Sequence, residues 1–147
     1  MKMVMIVTVL LCALAGCSKR ALVTAQVCLQ HDRGAAEFKQ LMNSIAQSRQ
    51  MKLYDSSAAL GAALERAHGP TLTMDIRLEG ADEVGLLAGN PGLPNNQVVV
   101  GFFEGRNPIE GQRFADAVVS EMRSHWYVEI VPRGKGAFPL TNCPTGG

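Results

Sequence analysis

The chain has 147 residues, 47% of them hydrophobic and 18% charged, with a formal net charge of +1. That is enough for one globular domain after a targeting segment, and too apolar for a disordered chain. No basic stripe is present, which argues against nucleic-acid binding and against membrane attachment through a polybasic patch.

Met1-Lys2-Met3 is a minimal basic start, and Val4 to Ala13 is apolar apart from Thr8. The run is too short for a stable bilayer-crossing helix, which needs about 20 residues, and it suits the apolar region of a signal peptide. Leu14-Ala15-Gly16-Cys17 follows at once. These residues resemble the lipobox of bacterial lipoproteins, in which small residues precede a cysteine. The resemblance covers only the leader and its cleavage site. It implies diacylglyceryl transfer to the Cys17 thiol, cleavage between Gly16 and Cys17, and acylation of the new amino terminus. An ordinary signal peptide with a chance cysteine is the alternative. On the lipoprotein reading, residues 1–16 are the signal peptide, 17–22 a lipidated tether, and 23–147 one domain with a Gly/Pro-rich tail. Several acyl chains on one residue make a lasting anchor where a single chain binds only marginally. In the Gram-negative lipoproteins this leader resembles, an aspartate after the cysteine favours retention in the inner membrane. Ser18 is compatible with the outer membrane, and an anchor there facing the periplasm is the expectation.

The mature part opens on a strand over Lys19 to Gln30, where Val23, Ala25, Val27 and Leu29 alternate with polar residues. His31 to Gly34 is a turn, with Asp32 a candidate helix cap. Phe38, Leu41, Met42 and Ile45 then recur at helical spacing. Met51 to Tyr54 reads as a short strand. A second helix starts at Ser56 or Ser57, carries Leu60, Ala63, Leu64 and Ala67 on one face, and ends at His68-Gly69-Pro70. Thr71 to Glu79 is the clearest strand. Leu72, Met74, Ile76 and Leu78 face the core, while Thr71, Thr73, Asp75, Arg77 and Glu79 face water. Val84 to Ala88 is a further strand. The loop Gly89 to Asn96 is full of turn formers, and Gln97 to Phe103 is a buried strand. Asn107-Pro108-Ile109-Glu110 is a helix start with cap, N1 proline and early glutamate. That helix buries Phe114, Val118 and Met122, and Trp126 to Val131 is the last strand.

Val23 to Tyr54 and Val98 to Val131 share a layout of strand, turn, helix, tight link and strand. This predicts an α+β fold: a ferredoxin-like sandwich with a mostly antiparallel sheet, helices on one face, and one extra helix and hairpin.

Of four cysteines, Cys12 leaves with the leader and Cys17 carries lipid. Cys28 and Cys143 remain in an oxidising compartment, where a disulfide is the simplest account. It would tie the tail to the first strand, with the first and last strands ending on the same side. A metal pair or a redox pair is the alternative, but no CxxC and no second ligand cluster supports either. His31 and His125 fall at opposite ends of the expected fold and would not share a metal. No nucleophile elbow, Walker loop or dinucleotide fingerprint is present. Asp75, Glu79, Asp82 and Glu83 read as solvated carboxylates, and Arg133 to Gly136 as a flexible tail rather than an anion cradle. No cofactor is expected.

The chain is therefore expected to be a non-catalytic binding module of the cell envelope, either an accessory part of an envelope machine or an immunity lipoprotein. Its partner would be an envelope protein, met at the membrane. A small periplasmic hydrolase and a structural or ligand-carrying lipoprotein are the alternatives. The candidate binding residues are Thr73, Asp75 and Arg77 on the wet strand face, with Asn90 and Asn95 in the neighbouring loop.

Overall fold

The computed structural model describes residues 21–29, 33–68, 73–90, 93, 94, 96–133, 135–137 and 139–143. Cys17, His31, Asp32, Thr71, Leu72 and Asn95, all named above, lie outside these residues.

The elements in order are β1 (Val23–Cys28), α1 (Gly34–Ser48), β2 (Lys52–Asp55), α2 (Ser57–His68), β3 (Asp75–Glu79), β4 (Gly85–Gly89), β5 (Gln97–Phe103), α3 (Pro108–His125) and β6 (Tyr127–Val131). The strands form one antiparallel sheet in the order β2-β3-β4-β5-β1-β6. The fold is α+β. Four consecutive strands of the sheet, β4-β5-β1-β6, with α1 and α3 have the ferredoxin-like order. The β2–α2–β3 segment is an insertion that widens the sheet beyond β4. The predicted strand after α1 thus exists, but it forms the far edge of the sheet, and β4 takes the inner position beside β5.

Alternation decides which face is buried. Ala25 and Val27 of β1, Ile76 and Leu78 of β3, Leu86 and Ala88 of β4, and Val98, Val100 and Phe102 of β5 all point to one side. Phe38, Met42 and Ile45 of α1 and Phe114, Val118 and Met122 of α3 close over them in a single core. Phe38 lies 5.7 Å from Trp126, and Phe102 meets Phe114 edge to face at 6.0 Å. The two helices run beside each other, with Leu41 and Ser44 facing Ala117 and Glu121 across a shared groove.

α3 begins as its sequence dictates. The Asn107 carboxamide accepts from the backbone N–H groups of Ile109 (3.1 Å) and Glu110 (3.4 Å), and Pro108 occupies the first turn. α1 begins differently, with no side-chain hydrogen bond at its cap, Arg33. A Cβ on Gly34 would stand 2.8 Å from Leu29 Cβ, so only glycine lets the helix start this close to the end of β1. Gly105, at φ +65°, sits against the backbone of Asp82 in the β3–β4 turn, where any side chain would collide.

Three expectations change. The helix α2 forms, but its apolar stripe does not reach the core: Leu60 and Leu64 are 40% and 36% exposed. The sheet spans about 24 Å between its outer strands at about 4.8 Å per gap, and two helices of about 10–12 Å diameter already cover that width. The first strand is shorter than predicted because the chain bends at Leu22. The first and last strands end on opposite sides: Cys28 at the end of β1 pairs with Tyr127 at the start of β6. The tail must therefore run back along the sheet to bring Cys143 to Cys28.

Candidate functional site on the outer sheet face

The face turned away from the helices carries the alternate residues of every strand. From one edge to the other these include Lys52 and Tyr54 (β2), Asp75, Arg77 and Glu79 (β3), Leu87 (β4), Gln97, Val99 and Gly101 (β5), Thr24, Gln26 and Cys28 (β1), and Tyr127 and Glu129 (β6). The C-terminal tail divides this face in two.

Over β5 and β1 the tail is a covering layer, and it borders β6. Cys143 is bonded to Cys28, with the Cα atoms 5.5 Å apart and both residues buried, inside the range a bridge requires. Beside it the Gln97 carboxamide takes the place of a missing strand neighbour. Its Oε1 accepts from the Leu140 N–H at 2.9 Å, and its Nε2 donates to the Leu140 carbonyl at 3.2 Å. Gln26 Nε2 donates to the same Oε1 at 2.9 Å. Both glutamines are buried, which is tolerable because their amides find partners. Tail and sheet enclose a cleft of about 300 Å³ bordered by Gln26, Glu129, Lys135 and Asn142. The tail is thus fastened by the expected Cys28–Cys143 bond and, beyond it, by a buried amide network.

Over β2, β3 and β4 the outer face is open. The candidate binding residues fall here, but they do not act as one group. The Asn90 carboxamide accepts from the Met74 N–H at 3.0 Å, which fastens the β4–β5 loop to the approach of β3. The Asp75 N–H donates to the Ser57 hydroxyl at 3.0 Å. Thr73 is half-buried where α2 passes, 3.6 Å from the position a Cβ on Gly61 would take. Thr73 and Asp75 thus pack α2 against the start of β3, and Asn90 joins that start to the β4–β5 loop. Arg77 alone stands in the open, its guanidinium 4.7 Å from the Tyr54 ring centroid and 3.2 Å from Glu79.

Two residues of this patch were not singled out in the sequence. Tyr54 is 42% exposed and Leu87 is 43% exposed, on either side of Arg77. The alternation of β4 held the signal. Leu86 and Ala88 face the core, so Leu87 must face out.

At the edge of the patch Asp55 faces the helices and ties three elements together. Its carboxylate accepts from the Ser57 N–H at 2.9 Å and lies 3.1 Å from Lys39 Nζ of α1. Burial pushes this carboxyl up, but the hydrogen bonds from Ser57 and the Lys39 ammonium outweigh it and hold the group below its ordinary value. Asp82 and Glu83 are exposed at the β3–β4 turn, where Arg106 lies 3.5 Å from Glu83. Among the described residues no three His, Cys, Asp or Glu side chains gather at one point, and no helix is long and apolar enough to cross a membrane. Comparison with protein families, curated proteins and solved structures finds no match to this chain.

Proposed function

We propose that the protein is an exported lipoprotein, acylated on Cys17 and held at the outer membrane facing the periplasm, whose domain is a non-catalytic binding module. The observation that supports this most is the buried Cys28–Cys143 bridge, which belongs in an oxidising compartment. The leader ending in Leu14-Ala15-Gly16-Cys17 supplies the address, and Ser18 favours the outer over the inner membrane. The open half of the outer sheet face, around Tyr54, Arg77 and Leu87, is the surface on which the module meets a component of the envelope. Its mixture of aromatic, aliphatic and charged groups suits contact rather than chemistry.

Mass spectrometry of the mature amino terminus tests the anchor. The expected species begins at Cys17 and carries acyl chains. Cleavage elsewhere, or an unmodified cysteine, removes the reading. Cys17→Ala should leave the protein uncleaved or released from the membrane.

A further inference from the structure

The bend at Leu22 fixes where the tether leaves the domain. Thr24 is the register partner of Gly101 on β5. Val100 and Phe102 point into the core, so Gly101 belongs to the outer face. A straight strand would carry Ala21 about 10 Å along the sheet from Thr24, at about 3.3–3.6 Å per residue. Instead Ala21 Cβ lies 3.6 Å from the position a Cβ on Gly101 would occupy, while the Leu22 N–H still donates to the Phe102 carbonyl at 2.7 Å. At Ala21 the chain is therefore folded back over the outer face, near the middle of the sheet's width.

Cys17 is four residues from Ala21, a reach of at most about 14 Å. To come from the opposite side of the domain, the tether would have to cross about half the sheet's 24 Å width and then a helix layer of about 10–12 Å. Four residues cannot do both. If Cys17 bears the acyl chains, the helix layer is not the side held against the bilayer, and the outer face lies within the tether's reach. The chemistry of that face agrees. Among the described residues Tyr54, Leu87 and, at the far edge, Tyr127 are its exposed large hydrophobic side chains, with Lys52, Arg77 and Glu79 beside Tyr54. Tyrosine suits the membrane–water boundary because its ring is apolar and its hydroxyl polar. The solvent side of the helix layer is more polar, with Asn43, Gln47, Gln112, Asp116 and Ser120 exposed and Ile109 as its exposed apolar side chain near the start of α3.

We propose that the open half of the outer sheet face rests on the headgroup layer of the bilayer that holds the anchor, with Tyr54 and Leu87 in contact with lipid and α1 and α3 turned away. This placement rests on acylation of Cys17 and names the envelope component that the face meets.

The test uses the full, processed protein in vesicles of phosphatidylethanolamine and phosphatidylglycerol, with a benzophenone amino acid at one position. The variants are Leu87→benzoylphenylalanine, Tyr54→benzoylphenylalanine and, on the helix layer, Ser120→benzoylphenylalanine. All three sites are exposed. A face seated about 5–10 Å into the boundary layer should give lipid adducts at positions 54 and 87 in roughly tenfold excess over position 120. Equal yields at all three positions, or none at 54 and 87, overturn the placement. The same variants are then irradiated in native membranes. A discrete protein adduct at position 87 in place of lipid overturns the lipid assignment in favour of a protein partner. The mass of the Cys17 peptide separates the two levels. An unacylated cysteine removes anchor and placement together, whereas an acylated protein with no lipid adducts removes the placement alone.

Discussion

Asp55 shows how much a single side chain can organise at the join of a strand and a helix. Its carboxylate ends β2, turns the chain into α2 through the Ser57 N–H, and bridges to α1 through Lys39. Asp55→Ala should cost about 1 kcal/mol, the usual worth of such a capping interaction, read as a lower denaturation midpoint. Asp55→Asn separates charge from hydrogen bonding. Because the folded carboxyl is held below its ordinary value, its charge stabilises the fold above the unfolded value of about 3.9, and that stability is lost as pH falls through the folded value. The parent should therefore lose more stability between neutral and strongly acidic pH than Asp55→Asn does. Equal losses would mean that the charge contributes nothing. Gln50 is a second instructive position. It follows α1 at φ +54°, a conformation that glycine adopts at no steric cost. Gln50→Gly should raise stability by roughly 0.5–1 kcal/mol, measured by chemical denaturation.

At the scale of elements, strands and helices were legible because their periods are strong. The α1 stripe of Phe38, Met42 and Ile45 and the Asn107–Pro108 start of α3 behave as their spacing predicts. The stripe on α2 is equally visible in the sequence and misleads. Periodicity shows that a face is apolar, not that a core has room for it, and here two longer helices already fill the layer. Leu60→Ser and Leu64→Ser should accordingly shift stability by no more than about 0.5 kcal/mol. Leu78→Ala, at a fully buried position, should cost about 2–5 kcal/mol. A large loss on changing Leu60 would show that the α2 stripe is buried after all. The candidate site was legible only in part. Arg77 was placed correctly on the open face. Asn90 reads in the sequence as a loop residue open to a partner, because its hydrogen bond to the Met74 N–H leaves no mark on local sequence. Gln26 looks like an outward polar residue for the same reason, since the chain that buries it with Gln97 arrives from 43 residues beyond Gln97.

At the scale of the whole molecule, the tail makes a third layer over half of the sheet, and its attachment is both covalent and polar. Reduction of the Cys28–Cys143 bridge removes a closure worth about 4–5 kcal/mol on the chain-entropy account, and the denaturation midpoint should fall steeply with reductant. Gln97→Leu keeps the bridge but leaves the Leu140 N–H and carbonyl without their partner. It should cost about 1–3 kcal/mol and open the peptide bond after Lys135 to trypsin while the sheet stays intact. If the Gln97→Leu tail resists trypsin as the parent tail does, the bridge alone holds it.

The same bridge governs how the protein carries tension. A load applied between a handle upstream of β1 and a handle placed beyond Cys143 enters the domain at β1 and can leave through the sulfur–sulfur bond. The 115 positions separating the two cysteines are bypassed. They would otherwise lengthen the chain by about 400 Å at about 3.3–3.6 Å per residue. While the bond is intact the domain acts as a short tie rather than a spring, and stretched from its two ends it yields only the few residues outside the loop. Reductant would convert it into an extensible tether of that contour length.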